Sequence, residues 1–127
     1  MAYLDKGIEN EKMAKISYEN KCYNACVNRY YYSFFQVLLN AMKKYKLEIG
    51  DEQNGEGSHV KTFKCYKKYI QNVKKIKITR VNQMNGNFIK LKNLRKKADY
   101  EELMIEKDEA DSAISAYNSL RREIESI

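Results

Sequence analysis

The sequence predicts an all-α fold, a four- to five-helix up-and-down bundle formed by one domain over residues 1–127. Three observations lead there. The 127 residues include no proline and five glycines, four of which precede position 58. A helix breaker is therefore nearly absent from the second half of the chain. Apolar residues recur mostly at helical spacing and seldom alternate. In NRYYYSFFQVLLNAM, residues 28–42, and the lysine that follows, the polar positions Arg29, Ser33, Gln36, Asn40 and Lys43 are spaced by 4, 3, 4 and 3. That spacing draws one straight polar stripe along an α-helix.

Each element can be justified in turn. Residues 3–19 read as a helix in which Leu4 and Ile8 share a face, continued on a shifted one by Met13 and Ile16, with Ala14 as a further candidate. Asn20-Lys21 is a junction. Residues 22–46 form the longest helix. Everything around its polar stripe is apolar, so it must be covered on most sides, as the central rod of a bundle or a rod shared with a second copy. Its aromatic run then serves the core rather than a base-stacking platform. LEIGDEQNGEGS, residues 47–58, is a loop rich in glycine, acids and amides. Ser58 is placed to cap the helix HVKTFKCYKKYIQ, whose inner residues are Val60, Phe63, Tyr66 and Ile70. Residues 71–80, with NVKKIKIT alternating Val73, Ile76 and Ile78 with lysines, read as a connector into the next helix, with a short extended piece as the alternative. Residues 79–97 return to helix through Val81, Met84, Phe88, Leu91 and Leu94, with Thr79 or Asn82 as cap. ADYEELMIE is less regular. The last helix starts at Lys107 or Asp108 and carries Ala110, Ala113, Ile114, Tyr117, Leu120, Ile124 and Ile127 on one face.

The formal charge of +7 conceals a segregation. Residues 1–59 hold eight basic and eight acidic side chains, residues 60–98 thirteen and none, residues 99–127 three and nine. A polyanion partner or a match between the basic and acidic segments follows from this. The nucleic-acid candidates are Lys61, Lys64, Lys67, Lys68, Lys74, Lys75, Lys77, Arg80, Lys92, Lys96 and Lys97, with Tyr66 and Tyr69 as nearby aromatics. No apolar stretch reaches the roughly 20 residues of a membrane span. The N-terminus lacks an apolar targeting core, so a cytoplasmic protein with no membrane partner is expected. Three irregularly spaced cysteines read as reduced thiols. Cys22, Cys26, His59 and Cys65 could supply four metal ligands by number, but no CxxC knuckle joins them, and neither metal nor cofactor is expected.

Two stretches, YNACVNRYYYSFF at 23–35 and NLRKKADYEEL at 93–103, together resemble the HEPN superfamily, closest to its short stand-alone, tyrosine-rich members. The resemblance spans roughly residues 10–125. It implies a helical bundle, usually a homodimer, associated with RNA cleavage, nucleotide-linked regulation, toxin–antitoxin pairs and phage defence. It also implies a minimal nucleotidyltransferase as a partner. Active ribonucleases of the family carry an arginine followed, four to six residues later, by histidine. Here Arg95 is followed by KKAD and Tyr100, and the only histidine is His59. A phenol does not exchange protons near neutral pH as imidazole does.

The resemblance faces the two motifs toward each other. Arg29 is thereby expected to pair with Asp99, and Asn28, Arg29, Arg95, Asp99 and Tyr100 to line a polar pocket for a phosphate or nucleotide. Three readings remain open. The first is a HEPN-like module that binds RNA or nucleotide without the usual ribonuclease motif. The second is a divergent metal-independent ribonuclease using Arg95 and Tyr100. The third is a protein-interaction module acting as a counter-defence inhibitor of a nucleic-acid-guided complex.

Overall fold

A computed structural model describes residues 2–48 and 56–127. These form α1 (Ala2–Glu19), α2 (Tyr23–Lys44), α3 (Glu56–Asn72), α4 (Ile78–Tyr100) and α5 (Lys107–Ser126). Among the described residues there is no strand. The all-helical bundle read from the sequence is what the chain builds.

α2 is the central rod. Tyr30, Tyr31, Phe34, Phe35, Leu38, Leu39 and Met42 are all buried, and Phe34 meets Phe63 of α3 and Phe88 of α4 at ring separations of 5.8 and 5.7 Å. α1 runs along one side of α2, α4 and α5 pack on its others and on each other, and α3 joins more sparsely. No helix among the described residues is long and apolar enough to cross a membrane.

Of the residues expected on the inner face of α1, only Ala14 is fully buried. Gly7 and Ala14 are its buried residues, while Ile8, Met13 and Ile16 are exposed. Small residues win this interface because they let two helix backbones come close. A Cβ on Gly7 would stand 3.2 Å from Val37 Cγ2, and the Gly7 carbonyl accepts a 2.7 Å hydrogen bond from Ser33 Oγ. The middle of the polar stripe on α2 is thus used inward. Ser33 is fully buried, and its hydroxyl also lies 2.8 Å from that of Tyr117 on α5.

The helix starts differ in detail from the sequence reading. α3 begins at Glu56, so Ser58 lies inside the first turn rather than capping it, with its hydroxyl buried and without a partner among the described residues. Val60 points outward, while His59 and Thr62 take its place inside. The cap of α4 is Lys77, in extended backbone, whose carbonyl receives the amides of Arg80 and Val81; Thr79 and Asn82 are inside the helix. Most of the expected 47–58 loop, residues 49–55, lies outside the described residues.

The exits from α1 and α2 are alike. Lys21 and Lys46 have φ of 59° and 57°, and the amides around each bond back as Cys22 to Ser17, Lys21 to Tyr18, Leu47 to Met42 and Lys46 to Lys43. That is the Schellman ending, in which the left-handed residue is ordinarily glycine. Lys75, after α3, is left-handed too, at φ 58°. α5 opens on a reciprocal capping box between Glu106 and Glu109.

Candidate functional site

The ADY segment ends α4 and packs against the head of α2. Arg95 is 3% exposed, one of few buried polar side chains among the described residues. Its Nη1 donates to Asp99 Oδ2 at 3.3 Å and to the Tyr100 hydroxyl at 3.2 Å. Asn28 donates to both oxygens of Asp99 at 3.0 Å, tying α2 to α4. The guanidinium lies 4.8, 5.8 and 5.6 Å from the ring centres of Tyr31, Tyr32 and Tyr100. Arg95 Nε is buried and has no hydrogen-bond partner among the described residues. Burial alone would push the guanidinium pKa down, but the Tyr100 hydroxyl, the Tyr32 and Tyr31 phenols and Asp99 raise it above its ordinary value. Arg95 therefore carries its charge at every practical pH.

Arg29 does not join this cluster. It is exposed, and its Nη1 donates to Asn10 Oδ1 of α1 at 3.2 Å. Successive helical residues are turned by about 100°, so when Asn28 faces α4 its neighbour faces α1. The expected Arg29–Asp99 pair is replaced by Arg95–Asp99. Asn28, Arg95, Asp99 and Tyr100 do come together.

Sequence reading gave His59 no place in this cluster. It is 7% exposed, with Nδ1 2.8 Å from the Tyr31 hydroxyl and its ring stacked 3.9 Å from that of Phe35. Tyr31 thereby touches His59 with its hydroxyl and Arg95 with its ring. A lone histidine heading an amphipathic helix was the available signal. Only the placement of α3 on α2 shows which residues it meets.

A second surface runs along α3 and α4. Lys61, Lys64, Lys68, Lys75 and Lys77 are exposed, and among the described residues no ion pair holds them. Arg80 and Lys97 reach acids of α5, with Arg80–Glu123 at 2.9 Å and Lys97–Glu109 at 2.7 Å. With Arg95–Asp99, these pairs match the basic segment to the acidic one. Lys74 lies 4.9 Å from the Tyr45 ring centre and Lys92 6.0 Å from that of Phe88, while Lys96 is exposed. Tyr66 is fully buried and Tyr69 stacks on Tyr45, so neither is a free platform for bases.

Between α3 and α4 lies a groove of about 230 Å3, lined by Lys64, Lys67, Lys68, Gln71, Asn82 and Asn85 above Ile78 and Val81. No carboxylate lines it. Lys67 Nζ donates to Asn85 Oδ1 at 2.6 Å, and burial and then the neighbouring charge of Lys64 lower its pKa. A half-buried cation with a second cation beside it is a place where a phosphate or carboxylate would be favourably received.

Among the described residues no three His, Cys, Asp or Glu side chains gather as a metal site. Cys22 is exposed, Cys26 buried and Cys65 half-buried. Comparison of the chain with protein-family models, curated proteins and solved structures gives no match.

Proposed function

We propose that the chain is a HEPN-like module of a toxin–antitoxin or phage-defence system that binds RNA by its phosphate backbone without cutting it. The observation that carries the binding reading is the acid-free groove between α3 and α4, with Lys64, Lys67 and Lys68 along one wall and amide side chains along the other. Lysines supply sequence-independent attraction to phosphate, and amides add hydrogen bonds to sugar or base edges. The family setting rests on the two motifs that meet through Asn28, Arg95 and Asp99. The absence of cutting is supported by burial. Arg95 and His59 are 3% and 7% exposed, too enclosed to reach a phosphodiester on the surface.

Fluorescence anisotropy with labelled single-stranded RNA at about 50 and about 200 mM salt tests this. Affinity should fall with salt, and a Lys64→Ala/Lys67→Ala/Lys68→Ala variant should bind more weakly, with the logarithmic salt slope reduced by about 0.7 per lost contact. Binding that ignores both salt and the variant would leave the lysines as a solvated face. The RNA should emerge intact. Cleavage that disappears in Arg95→Ala would instead establish the ribonuclease reading.

One observation favours a second reading, the protein-interaction module. Tyr100, Leu103 and Met104 are 74%, 68% and 69% exposed, within one short acidic segment. Apolar side chains gathered at the surface mark a contact site, for a second copy or another protein. Capture of a protein that survives nuclease treatment and is lost in Leu103→Ser/Met104→Ser would favour it over RNA binding.

A further inference from the structure

The flank of α4 turned away from α3 carries a second groove, about 530 Å3, between α4 and α5. Its volume lies in the range of roughly 300–1,000 Å3 that encloses a small organic ligand. Gln83, Asn87 and Lys90 line it from α4, and Ser119 and Arg122 from α5. Met84, 1% exposed, closes the bottom with an apolar surface.

The charge of this groove is unbalanced. Its one carboxylate, Glu123, is already taken by Arg80, at 3.0 Å from Nε and 2.9 Å from Nη2. Lys90 and Arg122 are exposed and form no ion pair among the described residues, and Arg122 reaches only Ser119 Oγ, at 3.5 Å. The Gln83 and Asn87 amides likewise have no hydrogen-bond partner among the described residues. Donors and acceptors thus line a concavity that is net cationic.

Gly86 lines the same groove, near the middle of the 23-residue α4. Glycine weakens a helix interior relative to alanine. No packing demand explains it here, because a Cβ at this position would meet nothing within 4 Å. A larger side chain at this lining position would occupy space in the groove.

We infer that the α4–α5 groove binds a small organic phosphate of the sugar-phosphate or mononucleotide class. Its phosphate is held by the planar fork of Arg122 and the ammonium of Lys90. Its polar body meets the amides of Gln83 and Asn87, over Met84. This site lies on the other flank of α4 from the RNA groove and does not depend on RNA binding.

Amide NMR spectra of the labelled full chain, titrated with ribose 5-phosphate and with adenosine monophosphate, test the inference. Saturable shifts are expected at residues 83–90 and 119–123, with affinity at least about tenfold weaker in Arg122→Ala. Gly86→Leu should raise Tm, since it adds helix propensity in open space, and should abolish the shifts. That pairing of a more stable protein with a lost ligand separates blocking from misfolding. RNA affinity of Gly86→Leu should stay unchanged, so failure here leaves the RNA reading standing. No saturable shift at millimolar probe, or equal affinity in Gly86→Leu, overturns the site.

Discussion

The guanidinium of Arg95 sits 4.8 Å from the centre of the Tyr31 ring, and both residues are buried. A cation over an aromatic face in a desolvated site is worth about 2 kcal/mol, and the aliphatic stem adds apolar packing. Arg95→Ala should therefore destabilise the protein by about 2–4 kcal/mol in urea unfolding, leaving Asp99 with Asn28 alone. Arg95→Lys should recover only part of this, because an ammonium cannot serve Asp99 and Tyr100 while lying flat on a ring.

The buried hydroxyl pair Ser33–Tyr117 joins α1, α2 and α5. Tyr117 also receives Arg121 Nη1 at 3.0 Å. Ser33→Ala should thus cost about 1–2 kcal/mol, mostly through the buried Tyr117 hydroxyl, which loses the acceptor of its proton and keeps only Arg121, while the Gly7 carbonyl keeps its bond within α1. Tyr117→Phe should cost a similar amount and should be non-additive with Ser33→Ala in a double-mutant cycle.

Glu109 gives the protein an acid-sensitive stitch. Lys97 and then the Glu106 amide hold its pKa below the ordinary 4.5. A carboxylate with a depressed folded pKa stabilises above its unfolded value, and that contribution is lost as pH falls through the folded one. The thermal midpoint should accordingly drop below about pH 4.5, and Glu109→Gln should show a shallower fall over the same window. Identical acid limbs in the two proteins would mean that the Lys97–Glu109 pair contributes nothing to stability.

The three thiols should separate by reactivity. Burial pushes the Cys26 thiol up to about 11, whereas Cys22 is exposed. At pH 7.5 an aromatic disulfide reagent should label Cys22 first and Cys26 only after unfolding. Mass spectrometry of partly labelled protein reads the order directly.

The central rod was legible because Arg29, Ser33, Gln36, Asn40 and Lys43 print a period that no strand can produce. The inner faces of α4 and α5 were legible for the same reason. α1 misled in part because larger apolar side chains are given weight: Ala14 is among the candidates, but Gly7 makes its contact by being small while Ile8, Met13 and Ile16 stay exposed. In the site, Asn28, Arg95, Asp99 and Tyr100 could be gathered from two motifs. The partner of Arg29 turned on a rotation of one residue, which spacing between distant motifs does not determine. His59 beneath Tyr31 depends on how α3 lies on α2, and both grooves beside α4 on how α3 and α5 lean on it. No local pattern encodes that.

Lysine at the three left-handed bends has a practical consequence. A side chain bearing a Cβ is strained at φ near +58°, and glycine is not. Lys21→Gly, Lys46→Gly and Lys75→Gly together remove three cations, taking the formal charge from +7 to +4, at positions outside all five helices. Electrophoretic mobility and heat resistance could then be tuned from the corners of the molecule, in opposite directions, with its interior untouched.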